Sequence, residues 1–220
     1  MRINQFVALA TGLSRRAVDT AVKQGRISVN GQLASLGQSV QTSDIVTLDN
    51  NRVSFRAQRT VVLLNKPVGY VCSKDGQGSP TIYDLLPIRF SKLKYVGRLD
   101  KDSSGLIIMT NDGQLSQSLS HPSFNKSKLY DVLLDKPLKP TDQKDVADGR
   151  VEIDNKPSLM KIRVKNSSRS SLEIKLNEGR NRQIRRTFES LGYKVIKLNR
   201  RAVGPFKLEQ LGNHAYLEMK

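Results

Sequence analysis

The run Val96-Gly97-Arg98-Leu99-Asp100-Lys101-Asp102-Ser103-Ser104-Gly105-Leu106-Ile107-Ile108-Met109-Thr110-Asn111 decides how this chain is read. Leu106 to Met109 is a short apolar run with no turn residue inside it, the pattern of a buried strand. The part before it packs two glycines, two carboxylates and two cations between Gly97 and Gly105. A loop this polar feeding a strand this apolar sets charged groups at the edge of a core. A carboxylate held there beside cations stays ionised and is poorly solvated on one side, which suits a nucleophile or a base. A solvated turn with a local ion pair has the same composition, so the rest of the chain must decide.

The 220 residues are 37% hydrophobic and 26% charged, the balance of a soluble globular protein with room for one large domain or two unequal ones. Thirty-seven Lys and Arg against 20 Asp and Glu leave a formal charge of +17. Such a surface attracts polyanions, nucleic acid first. An anionic membrane is the alternative, but the sequence shows no long basic amphipathic helix and no apolar anchor. The single cysteine, Cys72, excludes an internal disulfide framework and a Cys-based zinc site. His121 and His214 are too far apart for metal-ligand spacing, so no metal is expected. No signal peptide or membrane-spanning run is read, which makes the cytosol the expected compartment.

Residues 1–58 read as a small unit. Ile3, Phe6, Val7 and Ala10 recur at helical spacing, with Gly12 as the stop. Ser14 is a good N-cap for a second helix from Arg15 to about Gln24, and Gly25 ends it. Ile27 and Val29 then alternate with polar residues, and Asn30-Gly31 is a strong hairpin signal. Val40, Ile45, Val46 and Leu48 continue a strand-rich piece. Arg15, Arg16, Lys23 and Arg26 surround the second helix with positive charge. Asn50 to Arg59 is polar and without period, and reads as a linker that lets two domains reorient.

Residues 59–220 form the second domain. Val61 to Leu64 is a buried-strand run ending in Asn65-Lys66-Pro67-Val68-Gly69, where Pro67 and Gly69 make a tight turn. Thr81 is a plausible N-cap for a short helix. Asp112-Gly113 is a turn before a short helix over Gln114–Ser120. Lys128-Leu129-Tyr130 opens a strand, and Thr141 caps a helix ending at Asp148-Gly149. Met160–Lys165 and Leu172–Leu176 alternate as strands. In Arg180-Asn181-Arg182-Gln183-Ile184-Arg185-Arg186-Thr187-Phe188-Glu189-Ser190-Leu191, the residues Ile184, Phe188 and Leu191 fall on one helical stripe. Arg182, Arg185, Arg186 and Glu189 fall on another face. Lys194 to Leu198 alternates as a strand.

Two resemblances follow from these pieces. The two short helices and Gly25-Arg26-Ile27-Ser28-Val29-Asn30-Gly31 resemble the S4 RNA-binding domain, whose second helix carries arginines toward structured RNA. The motifs Asn65-Lys66-Pro67-x-Gly69, Gly97-Arg98-Leu99-Asp100, Lys128-Leu129-Tyr130 and Gly179-Arg180-Asn181-Arg182-Gln183-Ile184-Arg185-Arg186, in this order, resemble the RsuA/RluB/RluE/RluF family of ribosomal RNA pseudouridine synthases. That match spans about Val61 to Leu211. It implies an α+β protein, with a small S4-type helix-hairpin domain followed by a mixed, largely antiparallel catalytic sheet.

The resemblance also implies roles. Asp100 matches the essential aspartate, Tyr130 the tyrosine that packs on the target base, and Arg185 the arginine that pairs with the aspartate. Arg182 and Arg186 would lie on the RNA-facing side, and Lys66 and Arg98 fall in motifs that border the site; these four, with Lys128 and with Arg15, Arg16, Lys23 and Arg26 of the first unit, are the expected RNA-binding residues, and Asp102 would be structural or loop-capping. Turning uridine into pseudouridine breaks the N1–C1′ bond and makes C5–C1′ without redox or phosphoryl transfer, so no cofactor is implied. The expected partner is ribosomal RNA, bound by a monomer, and His121-Pro122-Ser123 leans the choice toward the large subunit. The rival reading is a ribosome-binding or assembly factor that kept the fold and lost the chemistry. An aspartate, a tyrosine and an arginine all present at motif positions argue against it.

Overall fold

The computed structural model describes residues 1–41, 43–53 and 59–219, which divide into two compact units, Met1–Arg59 and Thr60–Lys220. In the first, helices α1 (Ile3–Thr11) and α2 (Arg15–Lys23) precede strands β1 (Ile27–Val29), β2 (Gln32–Leu33), β3 (Val46–Leu48) and β4 (Asn51–Val53). The strands run in the order β2-β1-β3-β4, all antiparallel. Local chemistry sets the boundaries. Gly12 ends α1 at φ +79°, and the Ser14 hydroxyl caps α2 by accepting from the Ala17 amide at 3.1 Å. Asn30 and Gly31 both take positive φ, as a two-residue hairpin turn with right-handed strand twist requires. Ile3, Phe6, Val18, Val22, Ile27 and Val46 bury together as the core of this unit.

The expected linker from Asn50 to Arg59 is in part a strand. Asp49 and Asn50 adopt φ of +52° and +63°, a second tight turn, and this sends β4 back along β3 until Val53 faces Val46. Residues 54–58 of that expected linker lie outside the described residues.

The second unit is built on a sheet of nine strands among the described residues. In chain order they are β5 (Val61–Lys66), β6 (Lys94–Val96), β7 (Ser104–Thr110), β8 (Lys128–Leu134), β11 (Lys161–Val164), β12 (Ser171–Leu176), β13 (Val195–Val203), β14 (Phe206–Lys207) and β15 (Tyr216–Met219). A separate hairpin pairs β9 (Glu152–Ile153) with β10 (Lys156–Pro157). Helices α3 (Gly113–Ser120), α4 (Pro140–Ala147) and α5 (Gln183–Ser190) complete the unit. The main path is β11-β12-β8-β13-β7-β5-β15. Its pairings are antiparallel except β7 with β13.

Strand β7 explains its own sequence. Leu106 and Ile108 face one core, with Leu63, Val96 and Val203; Ile107 and Met109 face the other, with Val62, Leu64 and Val132. Buried on both faces, it carries no alternation. One edge lies along β5. The other edge is divided: Ile108 to Thr110 pair with β6, whereas Ser104 and Gly105 pair with Asn199 and Arg200 of β13. The polar loop Gly97–Ser103 therefore sits where β6 and β13 part. Gly105 is required there. Its φ is +107°, and a Cβ would stand 2.4 Å from the Arg200 carbonyl oxygen.

Several elements differ from the sequence reading for identifiable reasons. Asp112 is the N-cap of α3, its carboxylate accepting from the amides of Gln114 and Leu115. Helix α4 starts at Pro140, one residue before the expected Thr141 cap, because proline suits the first helical position. Helix α5 starts at Gln183, since Arg182 takes the left-handed conformation at φ +47°. Strand β13 runs past Leu198 to Val203, and register shifts after Val195 and after Arg200 break the alternation that would have revealed it.

One half-buried hydroxyl offers a spectroscopic check on this packing. Tyr83 donates to the Leu93 carbonyl at 2.9 Å, and burial raises its pKa to about 12. A phenol that holds its proton longer when folded stabilises the fold fully below pH ~10, and the gain is lost as pH rises toward 12. An absorbance titration of the folded protein is expected to show a tyrosine ionising near 12 that is missing from Tyr83→Phe. A Tyr83→Phe curve identical in shape to the parent's would contradict it.

Candidate active site

Asp100 lies in the loop between β6 and β7, and two buried cations hold that loop by its backbone. Lys66, at the end of β5, has no exposed surface. Its ammonium donates to the carbonyls of Pro67 at 3.1 Å, Asp100 at 2.9 Å and Ser103 at 2.5 Å. Arg200, on β13 opposite Tyr130, donates from Nε to the Leu106 carbonyl at 2.8 Å and from Nη1 to the Arg98 carbonyl at 3.1 Å. The loop is thus fixed on both limbs, and its carboxylates are free to face outward. Lys66 was expected among the RNA-contacting residues. The structure gives it another task, because a fully buried ammonium with three carbonyl acceptors has no donor left for phosphate.

Arg182 reaches both loop carboxylates, and Arg185 shares the second of them. Arg182 Nη1 lies 3.2 Å from Asp100 Oδ2. The same guanidinium donates to both oxygens of Asp102, at 3.2 and 3.0 Å. Arg185 donates to the Val195 carbonyl and the Asp102 carbonyl, each at 2.9 Å, and to the Ser103 hydroxyl at 3.3 Å. Its Nε lies 3.3 Å from Asp102 Oδ2 as a charge contact without hydrogen-bond alignment. The expected Arg185 partnership with Asp100 is therefore replaced by Arg182. The left-handed backbone at Arg182 is the physical reason: it takes this residue out of the helix and leaves Arg185 a turn further in, spent on loop backbone. Such strain in a non-glycine residue gathers at functional sites. Asp102 is the hub for both arginines, more than a loop cap. Burial acts to raise its pKa, but the Arg182 hydrogen bond and both guanidinium charges outweigh burial and hold it below the usual carboxylate range.

A cavity of about 360 Å³ opens beside this loop. Asp100, Tyr130, Arg98, Lys128, Arg182 and Arg200 are in its wall. Tyr130 alternates inward with Val132 and Leu134 on β8, is 8% exposed, and offers an aromatic face to a planar guest. Leu129, the apolar middle residue of its motif, lies between Lys128 and Tyr130 on the strand and so points to the other face. Lys128 Nζ reaches the Glu178 carbonyl at 3.3 Å. Burial, and then the charge of Arg200, lower its pKa. The cavity can therefore hold a flat, oxygen-bearing ring against a tyrosine, with a carboxylate at its edge and cations around it.

Other expected RNA contacts are placed differently. Arg186 faces away from the cavity and binds both oxygens of Asp154, in the turn of the β9–β10 hairpin, at 2.9 and 2.6 Å. Arg26 is held by Asp49, with Nε to Oδ1 at 2.7 Å. Arg15, Arg16 and Lys23 are exposed on α2. Arg200 escaped the sequence reading. An arginine in the middle of an otherwise alternating strand, Leu198-x-Arg200, was the available signal, and the bulges of β13 hid it. Among the described residues no three His, Cys, Asp or Glu side chains converge as a metal site.

Comparison with known proteins agrees with this geometry. Residues 60–190 match the model of the RNA pseudouridylate synthase family, and residues 1–46 match the S4 domain. The ribosomal small subunit pseudouridine synthase A of Pasteurella multocida (strain Pm70) is 32% identical, over 95% of this chain and 91% of its own length. The ribosomal large subunit pseudouridine synthase B of Pseudomonas aeruginosa is 35% identical over 94% of this chain, which spans 56% of that protein. A crystal structure of a pseudouridylate synthase superposes with a TM-score of 0.70 at 28% identity, covering 100% of this chain and 96% of the other. With an S4 domain ahead of it and an aspartate, a tyrosine and an arginine around one cavity, the chain belongs to the RNA pseudouridylate synthase family.

Proposed function

We propose that this protein isomerises one uridine of the small-subunit ribosomal RNA, with Asp100 as the reacting carboxylate and no cofactor. The observation that supports it most is the Asp100 carboxylate, paired with Arg182 at 3.2 Å, at the edge of a cavity walled by Tyr130. A uridine turned out of its stack would lay its base on Tyr130 and bring C1′ to Asp100. The carboxylate would attack C1′ or take a proton from the ribose as the N1–C1′ bond breaks. The base, still held, would turn and bond through C5.

For the subunit, the two lines of support differ. His121-Pro122-Ser123 leaned toward the large subunit, but His121 Nδ1 and the Ser123 hydroxyl are 2.8 Å apart in a local contact at the end of α3. The Pasteurella multocida relative, matched along nine-tenths of its length, has the small-subunit name. The Pseudomonas aeruginosa relative, with the large-subunit name, is 35% identical over 94% of this chain but is matched along only 56% of its own length, and the proposal follows the relative matched along most of its length. The test is to map pseudouridines in both ribosomal RNAs of a deletion strain by chemical labelling and reverse transcription. One small-subunit site is expected to disappear and to return with the parent gene but not with Asp100→Asn. Loss of a large-subunit site instead would reverse the choice of subunit, and no lost site would sink the function.

The N-terminal unit is proposed to supply affinity. Arg15 and Arg16 are exposed on α2, and Arg15 is fixed toward Asn4 at 3.1 Å. Replacing both by Ala is expected to weaken binding to all RNAs and to flatten the slope of log K against log salt by about 1.8, two phosphate contacts at roughly 0.9 each. A loss confined to one RNA sequence would mean that these arginines read bases.

A further inference from the structure

Arg200 is 3% exposed in the cavity wall, and its side chain is only partly used. Nε and Nη1 hold the Leu106 and Arg98 carbonyls. Nη2 is buried and has no hydrogen-bond partner among the described residues. A buried donor on a charged group is costly to leave unpaired, and such exceptions call for an acceptor from elsewhere. Lys128 is a second half-buried cation of the same wall, near enough for its charge and that of Arg200 to repel. Carboxylates in this wall are engaged by other groups: Asp100 by Arg182, and Glu178 by Arg180 and Gln183. Arg200 is thus a residue of the cavity wall that brings positive charge to it and carries an unpaired, buried N–H.

The geometry points to Arg200 Nη2, with Lys128 near it, as the subsite that binds the carbonyl oxygens of the uracil ring and holds its negative charge while the glycosidic bond is open. The assignment rests on the cavity being the uridine-isomerising site. In the nucleophilic form of the step, an Asp100 oxygen bonds to C1′ and the N1–C1′ pair leaves with the base. That pair spreads from N1 onto O2 and O4, the acceptors that Nη2 lacks. The anion then bonds through C5 to C1′, the Asp100 oxygen leaves with its pair, and the C5 proton is lost as N1 gains one. The charge on O2 and O4 exists only between the two bond changes. A donor aimed there strengthens where the barrier lies and adds little to ground-state binding. Because the same guanidinium holds both limbs of the Asp100 loop, it couples the position of the carboxylate to the position of the base.

The test uses the full chain and RNA carrying the mapped uridine, with single-turnover rates at saturating RNA and affinity measured separately. Arg200→Lys keeps a charge and loses the fork. Its saturated rate is expected to fall about 100-fold, as for removal of one oxyanion donor. Its RNA affinity is expected to stay within about threefold of the parent's, because transition-state contacts act on rate. A saturated rate near the parent's would overturn the subsite, and so would a defect confined to affinity, which would mark a phosphate contact. An independent arm needs no variant. RNA with 2-thio- or 4-thiouridine at the target places sulfur, a poor acceptor, at one of the two oxygens. The parent is expected to convert at least one of these more slowly than uridine, although a thiobase is the better leaving group; equal or faster conversion of both overturns the subsite. A parent inactive on the uridine RNA itself would sink the function, whereas an active parent with an unimpaired Arg200→Lys sinks only this subsite.

Discussion

Asp100→Asn is expected to bind ribosomal RNA as well as the parent or better, and to turn over at least roughly 1,000-fold more slowly, the scale of losing a reacting group. The amide keeps the size of the side chain and the loop's backbone contacts, which run through the Asp100 carbonyl to Lys66 and not through its carboxylate. What is lost is the charge that Arg182 faces at 3.2 Å and any capacity to attack or deprotonate the ribose. Among cations that include Arg98, Lys128 and Arg200, removing one negative charge favours phosphate. Asp102→Asn is the comparison, and the structure changes what it should do. As the hub for Arg182 and Arg185, Asp102 cannot be silent. A fall of about fivefold is expected, because a half-exposed pair is worth only ~1 kcal/mol and the arginines keep other acceptors. Its pH dependence has a definite sign. A carboxylate held below its ordinary value stabilises the fold above pH ~4, and the gain fades as pH falls through the lowered value. Melting temperatures of parent and Asp102→Asn should therefore converge in acid. If Asp102→Asn is the dead variant and Asp100→Asn the active one, the reacting carboxylate has been misassigned.

How much of this was legible depends on the length scale of each cause. Ser14, Gly25 and Asn30-Gly31 act on their own neighbours, so the N-terminal helices and first hairpin could be read directly. Leu106–Met109 announced itself because burial on both faces leaves no polar position. Asp100 and Tyr130 were found through motifs and do line one cavity. The partner of Asp100 was not legible: whether Arg182 or Arg185 reaches it depends on one residue taking left-handed φ at a helix start, which the basic run does not encode. Asp49-Asn50 is a turn whose strands are only three residues long, too short for a period. Lys66 and Arg200 look like surface cations until the sheet is assembled, because their acceptors are backbone carbonyls at least 34 residues away in sequence or one residue along. Buried cations serving backbone carry no signature in residue type.

That role makes Lys66→Met the sharpest test of how the Asp100 loop is held. Methionine fills nearly the same volume, so the cavity term is small. It removes three donors and leaves the carbonyls of Pro67, Asp100 and Ser103 without them. An unpaired buried acceptor costs about 1–3 kcal/mol. Against this, the variant no longer buries an ammonium. That burial disfavours the charge, as the lowered lysine pKa shows, although Asp100 and Asp102 attract it. The net loss is expected near 3 kcal/mol, the lower end of what breaking a buried charged group costs. For a unit of this size that is a fall of about 6–12 °C in melting temperature. Turnover should drop with it even at temperatures where the variant is folded, since the Asp100 carbonyl is then tethered mainly by the turn to Ser103. RNA affinity should change little, because no donor of Lys66 reaches the surface. The opposite pattern, parental stability with weakened RNA binding, would show that Lys66 meets phosphate and that the loop is held from the β13 side alone, through Arg200.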